Sequence, residues 1–419
     1  MNIRRHNLGL VLRRIAQHGP RSRATLALET GLNKSTVSSL VAELIEARLL
    51  RDAIEDEPAT GAIGRPPQSV ELNPEGPFVL GLEVNVDYLA VWATDLAGMV
   101  QHRAFVANDN RSQRPEEVLG RLAQLATQAL AQPFAESRAP LSASVAVPGL
   151  VDSDGGLVVA PNLGWTGVPV GDLLREALED PPFDLHVENE ANLGAVAELV
   201  EGAGRGLHDF VFVSGEVGIG AGVVLRGELF RGASGFAGEF GHLTIDPYGP
   251  PCGCGGRGCL ERLAGQDALL RLAGWDARMR IAGSRPEWPG AMLAESAREG
   301  HARTLEALSQ VGHTLGIAIA SLANLLDPEA VLLGGYFAPL ADWLREPIET
   351  ELETRALAGR RGRCQVLAAE LGGEAAVRGA VALSRREALY SVESGPPVAQ
   401  PAGSFTWPTK PRTSAAGSE

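Results

Sequence analysis

The sequence predicts an α/β protein: an N-terminal winged helix-turn-helix followed by a larger two-lobed body. Three observations carry this. Residues 1–51 hold nine Lys or Arg against three acids, a balance of +6 that leaves −20 for the rest of a chain whose net charge is −14. The stretch "ATLALETGLNKSTVSSLVAELIEARLL" within that head reads as two helices around a tight turn at Gly31-Leu32. Further on, the strand–turn–strand plan of residues 78–100 recurs at residues 209–232, as a doubled α/β body would have it.

The head is the most explicit element. Asn33 is placed to cap a helix in which Val37, Leu40, Val41, Leu44 and Ile45 fall on one apolar stripe, with Ser35, Thr36 and Ser39 on the opposite side near its start. Short hydroxyl side chains beside Lys34 at the N-terminal end of a second helix suit entry into a major groove. "LLRD" and "QSVELN" read as two strands of a wing, and Arg65 in "GRPP" between them is suited to a narrow minor groove. An ordinary helical hairpin is the alternative. Turn, cap, basic balance and wing in this order favour double-stranded DNA as a partner, while the acidic body repels it.

From Phe78 the pattern becomes strand-rich. "LSASVAV" and "EAVLLGGYF" read as buried strands, with helices expected near 168–178, 191–203 and 373–389. The run "LGIAIASLANLL" is shorter than the ~20 residues of a membrane span and reads as a buried helix. No membrane partner is expected. "MNIRRHNLGLVLRRIAQHG" shows no apolar block followed by a cleavage site, so the expected compartment is the cytoplasm. The tail from 391 to 419 is rich in Pro, Ser and Gly and is expected to be disordered.

Three of the four cysteines fall in "HLTIDPYGPPCGCGGRGCLE", residues 242–261. In a reducing compartment, clustered thiols point to metal ligands or redox groups before structural disulfides. Thiolate and imidazole are preferred zinc ligands, and glycines at 253, 255, 256 and 258 let a short loop curl around one ion. Cys364 stands apart and reads as a plain buried thiol.

"ENEANLGAVAE", "GIGAGVVLRGELFRGASGFAGEFGH" and "DPYGPPCGCGGRGCLE" resemble the signature segments of the ROK family (repressors, open reading frames and kinases), and "ENEAN" is most similar to its xylose-repressor branch. The resemblance covers nearly the whole chain except the tail. It implies two actin-like, ribonuclease-H-like lobes with a cleft between them. The implied organisation is a winged helix-turn-helix at 1–72, lobe 1 at 77–190, lobe 2 with the metal loop at 191–371, and a C-terminal helix at 372–390 returning to lobe 1.

The resemblance also implies roles. His242, Cys252, Cys254 and Cys259 match the ligands of a structural zinc ion. Glu239 and Glu261 match acids that accept hydrogen bonds from sugar hydroxyls, and His242 offers its second ring nitrogen to the same ligand. Asn189 and Glu190 match an Asn-Asp pair, and Asn162 is a further candidate. Acids and amides suit a polyhydroxylated ligand, so a monosaccharide effector is expected.

Family kinases place an Asp-x-Gly-Gly-Thr loop after the first body strand. Here that place reads "GLEVNVDYL", with Glu83, Asn85 and Val86 and no glycine pair, which opposes a triphosphate by bulk and by charge. Glu190 stands where the kinase base is an Asp, and its extra methylene displaces the carboxylate. Gly218, Gly220, Gly222, Gly334 and Gly335 fit tight turns as well as a phosphate loop. The expectation is a sugar-responsive repressor of carbohydrate-utilisation genes rather than an enzyme, binding a palindromic operator as a homodimer or homotetramer. The alternative is an ATP-dependent sugar kinase with an accessory DNA-binding head.

Overall fold

The computed structural model describes residues 3–53, 68–275, 288–357 and 364–394. The head comprises α1 (Ile3–His18), β1 (Arg21–Ser22), α2 (Arg23–Thr30), α3 (Lys34–Glu46), β2 (Leu50–Asp52) and β3 (Ser69–Leu72). Each boundary has a local cause. Ser22 caps α2 through Thr25 N–H, Gly31 ends it in the left-handed region at φ 69°, and Asn33 Oδ1 accepts Thr36 N–H at 2.7 Å to start α3. Val37, Leu40, Val41 and Leu44 are fully buried against α1 and α2, while Ile45 is only partly so. β2 and β3 pair antiparallel, and β1 adds a third strand that the sequence had not signalled. Arg65 lies outside the described residues.

The body begins with β4 (Phe78–Val84), β5 (Tyr88–Asp95) and β6 (Val100–Ala107), then α4 (Pro115–Leu130) and β7 (Pro140–Val147). β8 (Leu150–Val151), β9 (Leu157–Ala160) and β10 (Trp165–Val168) form a small antiparallel flap, followed by α5 (Val170–Ala177) and β11 (Asp184–Asn189). The second half runs through α6 (Glu190–Glu201), β12 (Phe210–Gly215), β13 (Ile219–Leu225), β14 (Glu228–Leu229), α7 (Leu260–Ala264), α8 (Gln266–Ala273), α9 (Trp288–Arg298) and α10 (Ala302–Leu326). It closes with β15 (Ala330–Gly335), α11 (Ala341–Arg355), β16 (Gln365–Ala368) and α12 (Ala375–Ser394).

The two large sheets repeat one plan. Their orders are β11-β7-β4-β5-β6 and β14-β13-β12-β15-β16. In each, a hairpin strand (β4 or β12) pairs antiparallel with its successor and parallel with a strand that returns after a helical crossover. One face of the first sheet packs on α4 and α5, and one face of the second packs on α7, α8, α10 and α11. Between the sheets lie α12, against the first, and α6, against the second. No helix among the described residues is long and apolar enough to cross a membrane.

A second element departs from the sequence reading. The last helix was expected to end near 389, with 391–394 in a disordered tail. It continues to Ser394, because Ala388 and Val392 are buried against residues of α1 that lie at the other end of the chain. Residues 395–419 lie outside the described ones.

Candidate functional site

The thiol loop is built by short-range backbone bonds. Thr244 bridges Cys259 and Pro251 bridges Arg257, while Cys252 N–H donates to Gly256 O at 2.9 Å and Gly258 N–H to Pro250 O at 2.8 Å. Gly258 sits at φ 61°, and a Cβ there would stand 1.6 Å from Asp246 O, so the turn requires glycine. The result brings one ligand atom each of His242, Cys252, Cys254 and Cys259 within 4.8 Å of one another. Cys254 Sγ and Cys259 Sγ are 3.7 Å apart. Two thiolates ~2.3 Å from one tetrahedral ion would stand about 3.8 Å apart, so the donors fit such a metal, whereas a disulfide needs ~2.05 Å. Burial pushes the Cys252 and Cys259 thiols up, while the Gly256 N–H pointed at its sulfur lowers Cys254. Cys364 is half-buried, and desolvation pushes it to about 11.

The same loop holds two acids. His242 directs Nδ1 at Cys252 Sγ (3.7 Å) and Glu261 Oε1 (3.8 Å), leaving Nε2 at 3.9 Å from Glu239 Oε2. Cys252 Sγ–H donates to Glu261 Oε1 at 2.9 Å. Burial raises the Glu239 carboxyl. Asn162, exposed on the β9–β10 turn, reaches this cluster: a side chain at Gly218 would meet Glu261 Oε2 at 2.8 Å and Asn162 Nδ2 at 3.6 Å. Metal donors, two acids and an amide thus converge on one cluster.

Asn189 and Glu190 stand at the β11–α6 junction. Asn189 is first a helix cap: Oδ1 accepts Ala191 N–H and Asn192 N–H, and Nδ2 donates to Gly149 O at 2.7 Å, which leaves one amide hydrogen for a ligand. The junction is stapled by Glu188, a buried side chain the sequence reading passed over. Its Oε1 accepts Asn189 N–H and Asn192 Nδ2 at 2.9 Å, and its Oε2 accepts Arg231 Nε at 2.6 Å from the loop that leads to Glu239. This ion pair ties the two halves of the cleft together.

Deeper between the lobes, Glu83, Glu190 and Glu216 line a cavity of about 10 Å³ closed by Ser214, Gly372 and Gly373. Tyr88 O–H donates to Glu83 at 2.6 Å, and Asn85 Nδ2 reaches Glu216 at 3.5 Å. Desolvation, followed by repulsion from neighbouring carboxylates, raises Glu83 and Glu190 to about 8. A space of this size holds about one water and no triphosphate. The charged residue in the otherwise apolar strand "FVLGLEV" was the signal for it. Glu216 was missed, since nothing near it in sequence marks it.

On the head, Lys34, Ser35 and Ser39 are exposed and Thr36 is partly covered. Ser35 Oγ donates to Asn33 Oδ1, and Ser39 Oγ accepts Arg4 Nη2 at 3.1 Å, so the second of these serines is tied to α1. Ser38, exposed on the same face, was not among the expected residues.

The family model of the ROK family matches residues 79–387. The chain belongs to the ROK family. Within this family it is 30% identical over 380 residues to a xylose repressor of Bacillus spizizenii, an alignment covering 90% of this chain and 94% of that protein. A ROK transcriptional regulator described as a homolog of the E. coli MLC protein superposes with a TM-score of 0.76 at 28% identity, covering 94% of this chain and all of that one. A ROK glucokinase from Streptomyces griseus, in complex with glucose and AMPPNP, gives 0.61 at 28% identity and covers 74% of this chain. The regulator match therefore takes in nearly the whole chain, where the glucokinase match leaves about a quarter of it uncovered.

Proposed function

We propose that this ROK protein is a sugar-responsive, DNA-binding transcriptional repressor of carbohydrate-utilisation genes, acting in the cytoplasm and released from a palindromic operator when a monosaccharide enters the cleft. The observation that carries the reading is the pairing of two sites in one chain. A capped helix with an exposed hydroxyl face stands on the head, and the body keeps its acids and amides for hydroxyl groups while carboxylates occupy the depth of the cleft. The xylose repressor and the regulator structure, which match nearly end to end, support it.

In this reading residues 1–72 form the DNA-binding domain. Lys34, Ser35, Thr36 and Ser39 face the major groove and Arg65 the minor groove. Asn162, Asn189, Glu190, Glu239, His242 and Glu261 hold the sugar. A zinc ion on His242, Cys252, Cys254 and Cys259 has a structural part, since four protein ligands complete its tetrahedron and leave no open position. His242 Nδ1 faces Cys252 Sγ and would ligate the ion, while Nε2, on the side of Glu239, would remain for the sugar. The sugar draws lobe 1 and lobe 2 together because its contacts come from both, which is the differential binding a population shift requires. A homodimer or homotetramer reads two half-sites about one helical turn apart, so a small rotation of the bodies loses one of them.

The test is operator binding to the fragment upstream of its own gene at fixed salt, titrated with D-xylose, D-glucose and other monosaccharides. Release by one sugar supports the repressor and names the effector. A coupled ATP assay runs beside it, and steady turnover at about 1 per second or faster, an ordinary kinase rate, would make the chain an enzyme.

A further inference from the structure

The C-terminal helix packs on α6, on the first sheet and on α1 of the head. Near its start, Gly379 lies flat on α6: a Cβ there would stand 1.9 Å from Leu193 O, so only glycine allows this approach. α6 is the helix that Asn189 caps and Glu190 opens. Along its middle, α12 is fastened to lobe 1. Ser384 Oγ is 2.8 Å from both Leu80 O and Ser144 Oγ, and Arg385 Nε donates to Leu96 O at 3.1 Å. Its far end is part of the head. Ala388 and Val392 are buried in one core with Leu8, Leu12 and Ile15 of α1, and the Arg13 guanidinium lies 4.6 Å above the Tyr390 ring.

We propose that α12 is the coupling element between the cleft and the DNA-binding head, with Gly379 and Tyr390 as the positioning residues at its two ends. The inference rests on the repressor reading above. Gly379 and Tyr390 are about 17 Å apart along a helix rising 1.5 Å per residue. α12 has no proline and no break between them, so a shift of α6 passes along it rather than being absorbed within it. The direct connection from head to body is held in place at the same time. Arg48 donates to Ser137 O at 2.9 Å and to Glu75 O at 3.0 Å, which makes the base of the head a pivot for whatever α12 does to α1. Close-packed surfaces re-seat in discrete steps instead of deforming smoothly, so a small movement at Leu193 becomes a defined change in the setting of α3.

Tyr390→Ala in the full-length, zinc-loaded protein removes the ring beneath Arg13 without touching cleft, metal loop or α3. Operator affinity without sugar and sugar affinity are each expected to stay within about 2-fold of the parent, while the sugar-induced loss of operator affinity shrinks about 10-fold. Tyr390→Phe, which keeps the ring, retains the response. Gly379→Ala, forcing the helices apart, changes operator affinity in the absence of sugar by about 5-fold or more. Normal release of the operator by Tyr390→Ala overturns the relay, whether or not Gly379→Ala folds. The probes are D-xylose, D-glucose and N-acetylglucosamine. If these and every other monosaccharide of the operator titration leave the unsubstituted protein on its operator, the repressor reading fails and the relay falls with it, whereas release of the parent and of Tyr390→Ala alike overturns the relay alone.

Discussion

Cys254 is the exposed thiol of its group, its sulfur accepting Gly256 N–H at 3.4 Å, so it can be changed with little effect on packing. Cys254→Ser should abolish stoichiometric zinc binding, read by elemental analysis, and weaken the sugar response, because His242 and Glu261 are held by the same loop. Operator binding without sugar should survive. Unchanged zinc content would remove Cys254 from the ligand set. Glu83 makes a different prediction. Its folded value of about 8 lies above the ordinary 4.5 because of burial, so between those pH values the folded chain holds a proton that the unfolded chain has released. Stability from this group is therefore full below pH 4.5 and is lost as pH rises toward about 8. Glu83→Gln should flatten that slope and raise stability above pH 8 by about 1–3 kcal/mol, seen in denaturant unfolding across pH. A slope identical to the parent's would mean that Glu83 is ionised in the fold.

At the scale of elements, legibility followed locality. α3 was readable because its cap, stripe and hydroxyl face all lie within 13 residues. β1 was not, since two residues, Arg21 and Ser22, gain strand character only by pairing with Val70 and Ser69 from the far side of the head. The end of α12 differs from the expectation for the same reason: "SVES" followed by Gly-Pro-Pro reads as a tail until α1 supplies the apolar partners of Val392. Arg65→Ala should weaken operator affinity about 10-fold and lower the salt dependence by about one phosphate contact, leaving sugar affinity unchanged. Equal loss of DNA and sugar affinity would show that Arg65 acts through the body instead.

For the molecule as a whole, the arrangement is layered. Two sheets of the same plan face each other across α6 and α12, each backed by its own helices, with the head sharing a core with the outer residues of β4, β5 and α12. Because both inner helices touch both halves of the body, lobe movement has a physical route to the head. The acidic side chains of Glu83, Glu190 and Glu216 fill the base of the cleft and leave about 10 Å³, too little for a triphosphate.

The sequence by itself determined the parts: the helix-turn-helix, the doubled hairpin plan, and the His-Cys-Cys-Cys group with acids on either side of it. Capping, hydrophobic periodicity and donor spacing are local chemistry, and they are written within a few dozen residues. Only the tertiary structure decided what meets what. Asn85 finds Glu216, 131 positions away, Arg231 finds Glu188, 43 away, and the Glu198 carboxylate accepts Leu371 N–H, 173 away. Such contacts are selected by the collective burial of two sheets and two helices, and no single segment carries enough of that energy to announce its partner.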